Sequence, residues 1–268
     1  MYVKPLVFSI TRTSLHDGKG IRTVVYFKGC NMRCRWCHNP EGLKSENEII
    51  FNKTKCIGCN ICSGICPNVE MGNIDRKKCI ACGKCADVCP ANALSFAGKQ
   101  MTEKEILKVI LKDREYYEKS GGGVTFSGGE CLLYPEFMEN ILRMCKEENI
   151  NTLVESAFNV PWENIQRVHP YTDMVDVDIK HMESDVHMEY TGCPNTRLLD
   201  NIKKLSVHSG NFLIRIPVIP GVNDSKENLG ATREFAKSLG AGVEELKYNN
   251  LARSKYESLS MEYEEFSV

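Results

Sequence analysis

Eight cysteines between positions 56 and 89 fall into two matching runs. Cys56, Cys59, Cys62 and Cys66 precede Pro67, and Cys79, Cys82, Cys85 and Cys89 precede Pro90. Each run reads C-x2-C-x2-C-x3-C-P, a spacing with which a short chain wraps two four-iron, four-sulfur clusters. Three close cysteines cover one face of a cube, and the distant fourth closes a cube after the chain turns. The pattern therefore groups Cys56, Cys59 and Cys62 with Cys89, and Cys79, Cys82 and Cys85 with Cys66. The prolines end the local turn after each last ligand. A disulfide framework is the competing reading, but it belongs to short secreted chains, and this one has 268 residues.

A different cysteine motif stands earlier. Cys30, Cys34 and Cys37 are spaced C-x3-C-x2-C directly after an apolar, strand-like stretch. Three thiolates on one tight loop hold three corners of a four-iron cluster and leave the fourth iron open to a small molecule. A zinc site with His38 as fourth ligand is the alternative, although zinc sites more often pair C-x2-C units far apart. The two motifs assign 11 of 14 cysteines. Cys131, Cys145 and Cys193 stand alone and read as small buried residues.

The rest of the composition excludes several classes. A net charge of -1 with interspersed signs does not support a nucleic-acid surface. No apolar run reaches the roughly 18 residues of a membrane span. Met1 to Ile10 lacks a charged leader followed by a long apolar core. So many thiolates imply a reducing, oxygen-poor compartment, and the expected location is cytoplasmic.

The block from about Glu48 to Gly98 has no long helical pattern and reads as a ferredoxin-like insertion holding two 4Fe-4S clusters over residues 48–98. Outside it, in 1–47 and 99–268, strand-like and helix-like segments alternate. Strands are expected at Ile21 to Phe27, Val124 to Phe126, Thr152 to Glu155, Met174 to Ile179, Phe212 to Val218 and Val243 to Lys247. A helix is expected over Met101 to Lys119, opening on the capping box Thr102-x-x-Glu105. Pro135 to Glu148 and Lys226 to Leu239 carry similar patterns. Six alternating units give the expected fold class: α/β, a partial (β/α)6 barrel with its site at the C-terminal strand ends.

Polar motifs fall at those ends. Ser127-Gly128-Gly129-Glu130 lets a backbone edge approach a ligand, with Glu130 as acceptor for an ammonium, though a plain turn is the commoner explanation of such a run. In Asp176-Val177-Asp178-Ile179-Lys180, alternation puts Asp176, Asp178 and Lys180 on one face. A charged row facing a core is costly unless it lines a polar cavity, and a solvated edge is the rival. Arg215 within Phe212 to Pro217 suits a carboxylate or phosphate, with a structural ion pair as the rival.

These residues carry a resemblance. The order Asp17-Gly18-Lys19-Gly20-Ile21-Arg22-Thr23, then C-x3-C-x2-C, Ser-Gly-Gly-Glu and Asp-x-Lys is similar to the radical S-adenosylmethionine superfamily. Within it the chain resembles the activating enzymes of glycyl radical enzymes, along Tyr190-Thr191-Gly192-x-x-Asn195, Ile219 to Asp224 and Lys255-Tyr256-Glu257 as well. The insertion resembles the subgroup with two auxiliary clusters. The pyruvate formate-lyase activating enzyme is similar but lacks that insertion. Three departures stand out: Lys19 and Cys131 where relatives usually carry proline, and Asn249 where many carry histidine.

The resemblance implies that Cys30, Cys34 and Cys37 hold a catalytic cluster that binds S-adenosyl-L-methionine. It places Trp36 and His38 near the adenine, and Ser127, Gly128, Gly129 and Glu130 at the amino group. Asp178, Lys180 and Arg215 would meet the carboxylate or ribose, with Asn249 in the histidine position. Glu155 falls beside a monovalent-cation site in relatives. The implied reaction is reductive cleavage of S-adenosylmethionine to methionine and a 5′-deoxyadenosyl radical, which takes hydrogen from a backbone glycine of a partner enzyme. Three 4Fe-4S clusters, a flavodoxin or ferredoxin reductant and a monomeric state complete the expectation. Two rivals are a radical enzyme modifying a small molecule or peptide, and a non-enzymatic iron–sulfur electron carrier.

Overall fold

The computed structural model describes residues 3–208 and 210–267. Met1 and Tyr2 of the segment read as lacking a leader lie outside the described residues, as do Ser209 and Val268 of the segment 99–268.

The chain opens with β1 (Leu6–Ser14) and β2 (Arg22–Phe27). The cysteine loop follows, and then β3 (Ile49–Phe51), α1 (Ile61–Ile65), β4 (Val69–Glu70), β5 (Asn73–Ile74), α2 (Lys84–Asp87) and β6 (Leu94–Phe96). After β7 (Lys99–Gln100) come α3 (Glu103–Ile110), α4 (Arg114–Ser120), β8 (Gly123–Gly128), α5 (Pro135–Glu147), β9 (Asn151–Ser156) and α6 (Trp162–Val168). The last part holds β10 (Met174–Asp178), α7 (Ser184–Thr191), α8 (Thr196–His208), β11 (Phe212–Val218), α9 (Lys226–Ser238), β12 (Gly242–Lys247) and α10 (Arg253–Ser258).

One eight-stranded sheet, ordered β12-β11-β10-β9-β8-β2-β1-β7, carries the fold. β2 and β8 to β12 run parallel, each beside the next. β1 and β7 add an antiparallel edge that the sequence reading did not expect. These six parallel strands with intervening helices are the α/β partial barrel. Alternation sorts the side chains. Phe27, Phe126, Val154, Val177 and Ile214 are buried against Ile110, Phe137, Ile141 and Ile202 of the covering helices. The opposite faces carry Ser127, Glu155, Asp176, Asp178, Lys180 and Arg215, so the sheet's other side is polar. Near the N-terminal strand ends Arg22, 1% exposed, is held by Thr125 Oγ1 at 2.7 Å and Asn151 Oδ1 at 3.0 Å. Burial lowers its guanidinium to about 10.

The expected helix from Met101 starts as read. Thr102 Oγ1 accepts from Glu105 N at 3.3 Å, and Glu105 Oε2 accepts from Thr102 N at 2.8 Å. It breaks, however, into α3, a 3-10 turn at Leu111–Asp113, and α4. The reason is Asp113, fully buried where it accepts from Arg12 and, at 2.7 Å, from Thr23 Oγ1. Drawing that carboxylate onto two strands takes its turn off the helical path.

The segment 48–98 leaves and returns at one point. β3 and β6 pair antiparallel, Ala97 N donates to the Glu48 carbonyl at 2.7 Å, and Asn47 Nδ2 donates to the Gly98 carbonyl at 2.7 Å. Inside it the helices are short, α1, α2 and a 3-10 turn at Lys53–Lys55, and Ile49, Val69, Ile74, Cys85 and Leu94 form a separate small core.

Candidate active site at the C-terminal strand ends

The loop carrying Cys30, Cys34 and Cys37 leaves the end of β2 through Gly29. That residue has φ +94, and a Cβ there would sit 2.3 Å from Tyr134 Oη. The neighbouring turn needs Gly128 for the same reason, with φ +120 and a virtual Cβ 2.3 Å from Phe27 N. The two turns clasp each other: Glu130 N donates to the Gly29 carbonyl at 2.7 Å, and Gly129 N to the Phe27 carbonyl at 2.8 Å. The C-terminus of α7 supports the loop from the other side, where Arg33 N and Arg35 N donate to the carbonyls of Thr191 and Tyr190 at 2.7 and 3.0 Å. This gives the Tyr190-Thr191 pair a physical task.

A cavity of about 530 Å³ opens at the C-terminal strand ends. Cys30, Cys34 and Cys37 line it together with Trp36, His38, Ser127, Gly128, Gly129, Asp178, Lys180, Arg215 and Asn249. Of the residues that the resemblance places at S-adenosylmethionine, Glu130 alone stands outside this lining. It is 2% exposed, accepts from Ser156 Oγ at 2.8 Å and from Ala157 N and Leu132 N at 3.1 Å, and so braces the wall from behind. Ser156 and Glu155 reach the cavity instead.

Opposite charges inside are paired. Lys180 Nζ lies 3.0 Å from Asp178 Oδ2. Burial works against its charge, yet Asp178 and the Cys34 sulfur raise its pKa above the usual lysine range. Arg215 pairs with Glu155 and stands 3.6 Å from Asp176, so the ion-pair reading of Arg215 and its cavity position coexist. Its Nε makes no hydrogen bond but lies 3.4 Å from Glu244 Oε2, across the pairing with β12. Burial pushes Glu155 up, with Arg215 opposing, and lifts Asp176 to about 7. The strand bearing Asp176 lies between β9 and β11, so the solvated-edge alternative does not hold.

Burial also pushes the Cys30 thiol up to about 12 and Cys37 upward, so without a cationic partner these sulfurs keep their protons. The three cysteine sulfurs, a guanidinium and a buried ammonium in one cavity fit a cluster and a ligand carrying a carboxylate. The His38 ring, which burial lowers, meets the Asn249 backbone, and the Tyr248 ring lies 6.0 Å away. Among the described residues no three His, Cys, Asp or Glu side chains close on a single metal-ion position.

Two asparagines that the sequence reading left without a role fix the strand-end loops. Asn195 Nδ2 donates to the His181 carbonyl at 3.1 Å, and Asn223 Nδ2 to the Lys180 and Pro217 carbonyls at 2.8 and 2.7 Å. The only sequence signal for either was its place in a quoted motif.

In the insertion, Cys56, Cys59, Cys62 and Cys89 line one pocket with Phe51, Ile57 and Leu94. Cys66 and Cys79 lie within electrostatic reach of Cys85, while Cys82 is exposed. The three isolated cysteines Cys131, Cys145 and Cys193 are buried.

Residues 24–231 match the profile of the radical SAM superfamily. The chain is 40% identical to the (2S)-3-sulfopropanediol dehydratase activating enzyme of Klebsiella oxytoca, over 96% of its own length and 86% of that protein. It is 40% identical to the trans-4-hydroxy-L-proline dehydratase activating enzyme of Clostridioides difficile, over 98% and 90%. It is 38% identical to the choline trimethylamine-lyase activating enzyme of Oleidesulfovibrio alaskensis, over 97% and 88%. In fold it is similar to Streptococcus suis SuiB bound to its precursor peptide, with a TM-score of 0.54 at 12% identity over 90% of this chain and 42% of that one. Among the described residues no helix is long and apolar enough to cross a membrane.

Proposed function

This chain belongs to the radical SAM superfamily, to the activating enzymes of glycyl radical enzymes, and from that premise we propose how its residues divide the work. The observation that carries the assignment is the cavity in which three cysteines, Lys180 and Arg215 face one another. Cys30, Cys34 and Cys37 would hold a 4Fe-4S cluster with one iron open to S-adenosylmethionine. When bound, cluster and S-adenosylmethionine supply the radical chemistry that takes hydrogen from a backbone glycine.

The chain's own residues bind and orient. Lys180 and the Arg215 guanidinium, both lining the cavity, would offer donors to the ligand carboxylate, and Asp178 holds Lys180 in place. The backbone of Ser127, Gly128 and Gly129 offers acceptors to the amino group, with Glu130 bracing them through Ser156. Trp36, His38 and Asn249 form the side on which the adenine would rest. Glu155, already paired with Arg215, would be the acidic residue beside a monovalent cation, as the resemblance implies.

Residues 48–98 would form the ferredoxin-like module. One cluster would use Cys56, Cys59, Cys62 and Cys89, and the other Cys79, Cys82, Cys85 and Cys66. The common pocket of the first four supports that division. Both sets have four cysteines and no open corner, which suits electron relay from a ferredoxin or flavodoxin. We take the protein as a cytoplasmic monomer.

The protein substrate is a glycyl radical enzyme of the kinds that the relatives serve, among which are dehydratases and a lyase. The test is anaerobic reconstitution followed by S-adenosylmethionine cleavage. Methionine should form at a rate that depends on reductant, and changing Cys30, Cys34 and Cys37 together to Ala should abolish it. Cleavage that survives the change would move the chemistry to another cluster.

A further inference from the structure

The segment from Ala252 to Phe266 touches both cysteine-bearing parts of the chain. Arg76 of the insertion reaches it on one side, where Nη2 donates to the Ser258 carbonyl at 3.0 Å and Nε to Ser260 Oγ at 3.3 Å. The third arm, Nη1, donates to the carbonyl of Ile49 at the insertion's own neck. On the other side Lys255 Nζ donates to the His38 carbonyl at 3.0 Å and to Asn39 Oδ1 at 2.9 Å. Further along, the Phe266 ring meets Trp36 edge-on at 6.0 Å. Between these anchors Tyr256 is 4% exposed, and after burial its strongest influences are Cys37 and Cys34. Arg76 lies within electrostatic reach of Cys79.

We propose that this C-terminal segment is the spacer that sets the separation between the Cys79 run and the catalytic cysteine loop, with Arg76 as the positioning residue that fixes it. The proposal rests on the relay reading above. One electron leaves a low-potential ferredoxin or flavodoxin, passes through the insertion, and ends at the catalytic loop. The reductant is oxidised by one electron, and the catalytic centre is reduced by one.

The physical need for a spacer follows from the attachment. The insertion joins the barrel through the β3–β6 neck, and a single two-stranded neck leaves a module free to tilt. Electron transfer falls steeply with separation, so a small tilt slows it. Arg76 adds an attachment that the β3–β6 pairing does not supply, tying the neck carbonyl of Ile49 to Ser258 and Ser260. The planar guanidinium bridges two carbonyls and a hydroxyl at once, which an ammonium on a flexible stem does poorly. Tyr256 and Lys255 carry that attachment across to the loop between Cys37 and Asn39.

The test compares reconstituted wild type with Arg76→Ala and Arg76→Lys. The readout is the rate of S-adenosylmethionine cleavage with reduced ferredoxin or flavodoxin, divided by the rate with dithionite. That ratio should fall severalfold in Arg76→Ala, because electron transfer slows steeply as the two cysteine-bearing parts move apart. Arg76→Lys should fall between the two, and iron content and the dithionite rate should stay near wild type in both. An unchanged ratio, or equal losses with both reductants, would overturn the proposal. Where Arg76→Ala does not assemble its clusters, the ratio in Arg76→Lys decides. Changing Cys79, Cys82 and Cys85 to Ala separates the two levels of the argument. An unchanged ratio there rejects the relay itself, whereas a fall there with none in the Arg76 variants rejects only the spacer.

Discussion

Ser156 Oγ donates to the Glu130 carboxylate at 2.8 Å, tying the Gly-Gly-Glu turn after β8 to the end of β9. The bond is buried, and Ala157 N and Leu132 N donate to the same carboxylate at 3.1 Å. Burial raises the Glu130 pKa while these donors oppose the shift. The turn that would meet the ligand is therefore held in shape from behind.

Glu130→Ala removes the acceptor and leaves buried donors unpaired, at a cost of about 1.5–3 kcal/mol. Chemical unfolding should show that loss of stability, and titration should show weakened S-adenosylmethionine binding, because Ser127 to Gly129 lose their brace. Serine 156 gives the control: Ser156→Ala should weaken binding in the same direction but less, since two backbone donors remain. Binding unchanged in both variants would make the brace irrelevant to the ligand.

A pH dependence follows from Asp176. Burial holds its carboxyl at about 7 against the pull of Arg215, whereas an unfolded aspartate titrates near 3.9. Its folded pKa is raised, so the native chain keeps a proton that the unfolded chain releases. That contribution to stability is fully present below about pH 4 and is lost as pH rises through about 7. Asp176→Asn has no such proton, so its stability relative to wild type should increase between about pH 5 and about pH 8. Denaturant midpoints at the two pH values measure this, and parallel profiles for the two proteins would contradict it.

The insertion makes a prediction about one cysteine distant in sequence from its group. Cys89 lines the pocket of Cys56, Cys59 and Cys62. The reconstituted chain should hold about twelve irons, as three four-iron clusters require. Cys89→Ala should therefore damage the same spectroscopic cluster as Cys56→Ala, and the double change should lose no more than either single one. Additive losses would place the two residues on different clusters.

Much of the fold was legible because its signals are local. The period-two pattern at Asp176 to Lys180 put Val177 in the core and Asp178 and Lys180 in the cavity, and the Thr102 capping box marked the start of α3. β3 and β6, near the two ends of the segment from Glu48 to Gly98, pair with each other. β1 was missed: Leu6–Ser14 mixes buried, half-buried and exposed residues, and its pairing with β2 slips register between Val7 and Ser9 and between Thr11 and Ser14. The break at Asp113 and the inward turn of Glu130 depend on partners far away in sequence, Arg12 and Ser156. The strap from Ala252 to Phe266 is of the same kind, because its meaning lies in Arg76 and His38 rather than in its own pattern.

The catalytic assignment is tested most directly by electron paramagnetic resonance on a glycyl radical enzyme mixed anaerobically with this protein, S-adenosylmethionine and a reductant. A cognate glycyl radical enzyme should show the glycyl radical signal with wild type and none with Cys30, Cys34 and Cys37 changed to Ala. The signal should persist, more slowly formed, when Cys56, Cys59 and Cys62 are changed and dithionite is the reductant. A glycyl radical formed equally well without Cys30, Cys34 and Cys37 would contradict the account.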